Sequence, residues 1–71
     1  MNVTFDRKAD ALYIKLQAKK RARKTVIVQE GVMVDIDKAG NIFGIEILDA
    51  SHRMPAKALS GLTTNLPVHI R

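Results

Sequence analysis

At 71 residues the chain forms one domain, 1–71, and a domain of this size buries only about 60% of the surface its unfolded chain exposes, so its stability is marginal without help. The absence of cysteine excludes disulfides and thiolate metal sites and agrees with a reducing compartment. The net charge of +5 is local: Lys19, Lys20, Arg21, Arg23 and Lys24 supply five of the twelve Lys and Arg, and the remaining seven match the seven Asp and Glu.

Residues 1–10 lack the apolar core of a signal peptide, and no apolar run approaches the roughly 20 residues of a membrane span, so a soluble cytoplasmic protein is expected. Residues 2–5 read as a short strand. Residues 6–10 read as a turn in which Asp6 acts as a cap. Over 11–17, Leu12, Ile14 and Leu16 alternate with Tyr13, Lys15 and Gln17, the period of a half-buried strand that pairs with the first. The basic stretch 18–23 is an exposed connection, too short to hold a helix alone. Residues 25–29 form a third strand, and Glu30-Gly31 is a two-residue hairpin signal that pairs Gln29 with Val32.

The organising stretch is 32–48, two strands joined by a tight turn. Val32, Val34 and Ile36 share one face, as do Phe43, Ile45 and Ile47. A four-residue loop, Asp37-Lys38-Ala39-Gly40, sets Phe43 and Ile45 beside Val34 and Val32, whereas a three-residue loop sets them beside Asp35 and Met33. The apolar pattern selects the former. Asp37 starts a type I turn by accepting backbone N–H bonds, and Gly40 supplies a positive φ. In the adjoining hairpin Ile27 falls on the face of Val34, while Val26 and Val28 fall opposite with Met33. Together with Ile42 they make that second face too apolar for free solvation, and a helix, the chain tail or a partner is expected to cover it.

After Leu48, Asp49 and Ser51 are cap-type residues, Pro55 suits a helix start and Gly61 its end. A short helix over 55–60 follows, with Met54, Ala58 and Leu59 available to pack on the sheet. The segment 68–70 either adds an edge strand or hangs free. The fold class is therefore α+β: a small antiparallel sheet of four to five strands in meander order with a short C-terminal helix packed on it.

Val3-Thr4-Phe5-Asp6, Ala9-Asp10-Ala11-Leu12-Tyr13-Ile14, Gly31-Val32 with Val34-Asp35, Gly40-Asn41-Ile42 and Gly44-Ile45-Glu46-Ile47-Leu48-Asp49-Ala50-Ser51 follow one another at a characteristic spacing. Over roughly residues 1–53 this order resembles the YuzE-like family of small uncharacterised prokaryotic proteins. The resemblance implies a compact antiparallel sheet with a helical C-terminal part, and it brings no activity or catalytic residue with it. Some members look like the smaller half of a toxin–antitoxin-type gene pair, which implies a protein partner. The chain departs from the family in its basic run, where relatives tend to be more acidic, and in the tail after Gly61.

Constellations that could carry chemistry are few. Asp49, Ser51 and His52 hold the side chains of a triad, but three groups within four residues do not place the base between the other two. Capping and a solvated histidine account for them. Asp35, Asp37 and Glu46 do not converge in the chosen register, and His52 and His69 lack the spacing of a helical zinc site, so no metal or cofactor is expected. Gly44 within a strand admits a neighbouring side chain or marks a bulge. The five cations at 19–24 would give a salt slope near about −4.5 on duplex DNA, without interleaved aromatics or a recognition helix.

The leading expectation is a non-catalytic module that contacts a protein partner, or a second copy, through Val26, Val28, Met33 and Ile42 or through an open sheet edge. Non-specific nucleic-acid binding through Lys19, Lys20, Arg21, Arg23 and Lys24 is the alternative. No small-molecule substrate is evident, and an enzyme is the remaining class, with no constellation to support it.

Overall fold

The computed structural model describes residues 2–16, 23–65 and 68–70. Strands β1 (Asn2–Asp6), β2 (Ala11–Lys15), β3 (Arg23–Gln29), β4 (Val32–Asp37) and β5 (Ile42–Leu48) are followed by helices α1 (Ala50–Arg53) and α2 (Ala56–Asn65) and by strand β6 (Val68–Ile70). The sheet order is β3-β4-β5-β2-β1-β6. Two local units, the β1–β2 hairpin and the β3-β4-β5 meander, join where β2 pairs antiparallel with β5. This is the expected antiparallel sheet of an α+β domain, and β6 adds a sixth, parallel strand at the outer edge of β1.

Alternation places Val3, Phe5, Leu12, Ile14, Val32, Val34, Ile45 and Ile47 on one face, because each is the cross-strand partner of another: Val3↔Ile14, Phe5↔Leu12, Leu12↔Ile47, Ile14↔Ile45, Val32↔Ile47 and Val34↔Ile45. The helices lie on this face. Val3, Leu12 and Ala50 form the buried core, and Phe5, Ile14, Ile47, Met54 and Leu62 pack around it. The opposite face carries Thr4, Tyr13, Lys15, Thr25, Asp35 and Glu46 and is polar enough to face water.

The turns formed as their residues dictate. Asp6 Oδ1 accepts the Lys8 and Ala9 N–H groups, closing the β1–β2 connection. Asp37 Oδ1 accepts the Ala39 and Asn41 N–H groups at 2.9 Å, and Gly40, at φ +87°, donates to the Asp37 carbonyl. Among the described residues, nothing beyond the chain neighbours of Gly40 lies within 4 Å of where its Cβ would stand, so a side chain there is opposed by backbone conformation alone. Gly40→Val is accordingly expected to lower the urea midpoint by the equivalent of about 1–2 kcal/mol, and Lys38→Val by much less. Equal midpoints for the two variants would contradict the turn.

Two registers differ from expectation. In the β4–β5 hairpin, Val34 and Val32 stand opposite Ile45 and Ile47, not Phe43 and Ile45. The Asp37 N–H closes on the Asn41 carbonyl, one position beyond the expected loop, and a bulge at Phe43, between the Asp35↔Gly44 and Ile36↔Ile42 pairs, adds a second position. Two steps preserve the faces, so the apolar assignment survives the slip. In the β3–β4 hairpin Gln29 does pair with Val32, but a bulge between Ile27 and Gln29 shifts the rest by one. Val26 therefore pairs with Val34 and Ile27 with Met33, the reverse of the expected faces.

The helical part also differs. A single turn, α1, precedes the expected helix, and α2 runs through Gly61 to Asn65 instead of ending near Ser60. Leu59 and Leu62 lie three residues apart on one side of α2, and burial of Leu62 against the core offsets the roughly 1 kcal/mol that an interior glycine costs. Ala58, expected to pack, is exposed. Among the described residues no helix is long and apolar enough to cross a membrane.

Candidate interaction surface

The four apolar residues singled out from the sequence do not share one face. Val26 pairs with Val34 and Ile42 with Ile36, which places both on the helix-bearing side, while Met33 lies on the polar side beside Ile27 and Val28 occupies the β3 bulge. Ile27, which the expected register put against the core, is 70% exposed. Within the basic run, Arg23 and Lys24 begin β3, two residues earlier than expected; Lys19, Lys20 and Arg21 lie outside the described residues.

Among the described residues, only half of the helix-bearing face is covered. Six strands at about 4.8 Å spacing span about 24 Å, whereas a ten-residue helix is about 15 Å long and about 10 Å across. Met54 and Leu62 reach the β1–β2 side, around Val3 and Leu12. Toward β3 the face carries Leu16, Val26 and Ile42, which are 41%, 38% and 48% exposed, and the half-buried Val34, Ile36 and Ile45 between them.

Among the described residues, the polar face holds an organised cluster. Tyr13 Oη donates to Asp35 Oδ2 at 2.9 Å, and Thr25 Oγ1 donates to Asp35 Oδ1 at 2.7 Å, linking β2, β4 and β3 across the sheet. Gly44 lies between β2 and β4 as the cross-strand partner of both Lys15 and Asp35, and the Tyr13 ring occupies the space a side chain there would need. The glycine thus admits a neighbouring side chain, one of its two expected uses. Beside Tyr13 a shallow depression of about 400 Å³, bordered by Thr4, Asp6, Glu46 and Leu48, opens to solvent. Asp35, Asp37 and Glu46 serve three separate places, and among the described residues no three His, Asp or Glu side chains gather as metal ligands.

The third cluster surrounds α1. Asp49 occupies the helix N-cap position in the left-handed region, φ 53° and ψ 42°, and makes no side-chain cap bond. The cap comes from 41 positions away: Asp10 accepts the Ser51 N–H at 3.1 Å and the Ser51 hydroxyl at 2.7 Å, while its carbonyl accepts the Ala50 N–H at 2.9 Å. His52 Nδ1 stands 3.3 Å from Ser51 Oγ and 3.5 Å from Asp10 Oδ2. The serine proton is directed at the carboxylate, so the imidazole is not poised between hydroxyl and acid as a nucleophilic triad requires. At the helix's other end, the Arg53 guanidinium donates to the Glu30 carbonyl, tying α1 to the β3–β4 turn.

The Ser51 hydroxyl holds the Asp10 carboxyl below its ordinary value of 3.8; desolvation, the next largest effect, opposes it, and the Ser51 N–H and the neighbouring His52 add smaller lowering contributions. A folded-state value below the unfolded one means that Asp10 contributes stability above the unfolded value and loses it as pH falls through the lower, folded one. Urea midpoints of the wild type and Asp10→Asn are therefore expected to differ at neutral pH and to converge in acid. A gap that widened on acidification would reverse the assignment.

Sequence reasoning missed Asp10, Tyr13 and Thr25 as organising residues, since each finds its partner across the sheet. The Ala-Asp-Ala-Leu-Tyr-Ile run at 9–14 holds the first two and was the available signal. The family model of a protein family of unknown function, DUF2283, matches residues 2–51, in agreement with a small uncharacterised family. No curated protein and no solved structure matches the chain.

Proposed function

Because the chain belongs to the DUF2283 family, which is described by no activity, we propose a function from geometry: a non-catalytic interaction module that binds a protein through the bare half of its helix-bearing sheet face. The observation that carries this reading is the exposure of Leu16, Val26 and Ile42 in a patch continuous with the core. The open β3 edge is a weaker surface. Its bulge interrupts the outer row of backbone groups and Lys24 sits at its start, two features that discourage strand addition.

A partner of the toxin–antitoxin type, as the family resemblance implies, is one protein such a face would receive. The test is a photo-crosslinking residue at Ile42 in the host cell, with the same residue at exposed Lys57 as the control. A discrete protein adduct at 42 and none at 57 is expected. Equal, diffuse labelling at both positions would overturn the reading.

A further inference from the structure

We propose that the depression on the polar face binds a short aliphatic diamine, with one ammonium group on Glu46, the other on Asp6, and the methylene chain over Ala11. It lies across the sheet from the face that carries the interaction reading, and the two are independent. The hollow follows from register. Thr4, Tyr13 and Glu46 form one cross-strand row over β1, β2 and β5, and Asp6, Ala11 and Leu48 form the next row on the same face. Ala11 stands at the centre of its row, where a single methyl group leaves the space that a longer side chain would fill. The larger neighbours wall that space and Ala9 closes its turn side, giving a depression of about 400 Å³, within the range of small-molecule sites. Tyr13 is kept from collapsing into it by the bond to Asp35 and by the slot over Gly44.

The lining selects the occupant. Ala9, Ala11, Leu48 and the Tyr13 ring offer apolar surface, and the two charged lining groups, Asp6 and Glu46, are both carboxylates. They stand at diagonal corners, Asp6 on β1 in one row and Glu46 on β5 in the other. Two strand spacings and two residue rises put their Cα atoms about 12 Å apart, so they reach a molecule in the hollow from opposite sides. Asp6 Oδ1 accepts the Lys8 and Ala9 N–H groups, which anchors that carboxylate. Among the described residues, no side-chain hydrogen bond or ion pair engages Asp6 Oδ2 or Glu46. The described cations nearby stand outside the hollow: Arg7 and Lys8 are exposed in the adjoining turn, and Lys15 lies one row beyond Tyr13. The basic run follows the Lys15 end of β2, about 13 Å from Ala11. Both carboxylates repel an anion, a neutral molecule gains from the apolar surface alone, and a monocation answers one carboxylate. A cation at each end of a methylene chain answers the whole lining.

Amide resonances of the isotope-labelled full chain, followed during titration with tetramethylenediamine at constant ionic strength, test the site. The amides of Ala11, Glu46 and Leu48 are expected to shift saturably with a midpoint near about 1 mM, the affinity that so open a site and so small a ligand allow. The monoamine n-butylamine should bind at least about fivefold more weakly, and the uncharged butanediol should produce no saturable shift up to about 20 mM. Glu46→Gln should erase the advantage of diamine over monoamine. Ala11→Leu, which fills the hollow without changing charge, should abolish binding of both amines. The comparison among the three ligands is made on the wild type and does not depend on either variant folding. Equal midpoints for diamine and monoamine, or no saturable shift with the diamine, would overturn the proposal. So would a diamine preference that survives Glu46→Gln, or binding retained by a folded Ala11→Leu protein. The crosslink at Ile42 reports on the other face of the sheet, so its result and this one are read separately.

Discussion

Leu12→Ala is expected to bring the protein to the edge of unfolding at room temperature. Leu12 is fully buried on β2, with Phe5 of β1 and Ile47 of β5 as its cross-strand partners and the Val3–Ala50 core about it. Truncating such a leucine costs about 2–5 kcal/mol, the lost transfer of its methyl and methylene groups plus the cavity they leave. A chain of 71 residues carries about 4–10 kcal/mol of total stability. The substitution therefore removes about half, read as a large fall in urea midpoint at an unchanged slope. Ile27→Ala, on an exposed position of β3, should move the midpoint by less than about 0.5 kcal/mol equivalent. If Leu12→Ala were equally mild, the core would have to lie elsewhere.

Gly44→Ala is expected to cost about 1–3 kcal/mol although it adds a single methyl group. A Cβ at this position would overlap Tyr13 Oη and stand 2.8 Å from Tyr13 Cζ, with Asp35 Oδ2 at 3.2 Å. The ring must swing off the sheet, and its hydrogen bond to Asp35 is lost with it. Coupling separates this mechanism from a generic loss of strand geometry. In the wild type, Tyr13→Phe should cost about 1 kcal/mol; in the Gly44→Ala background it should cost close to nothing, because the bond it removes is already broken. Additive effects would show that the ring had found room without giving up Asp35.

Most of the strand content was legible because period-two alternation survives in a chain this short: Leu12 and Ile14, Val32 and Val34, Ile45 and Ile47 all lie on the side the pattern gave them. The Asp37–Gly40 turn was legible for a local reason, since acceptor and glycine lie within the turn itself. The bulges at Val28 and Phe43 were not. Bulged and paired residues are apolar alike, and only the backbone's hydrogen bonds distinguish them. That one-residue uncertainty decides which side of β3 carries Val26, and it split the expected contact set between two faces. The cap of α1 was hidden by distance along the chain: Asp49 and Ser51 look sufficient until Asp10 is seen to hold the Ser51 hydroxyl. Gly61 reads as a helix stop by propensity, which packing of Leu62 overrides.

The parallel pairing of β6 with β1 has a consequence for how the chain folds as it is made. Val3, Thr4 and Phe5 pair with Val68, His69 and Ile70, so strands 65 positions apart in the sequence are neighbours. The hairpins β1–β2 and β3–β4–β5 form from contacts close in sequence and need not wait for β6. The outer backbone row of β1 stays unpaired until 68–70 emerge, and through that interval the nascent sheet offers a strand edge to any neighbouring nascent chain. Slow translation between Leu48 and Val68 would lengthen that interval, and the yield of monodisperse protein should fall with it.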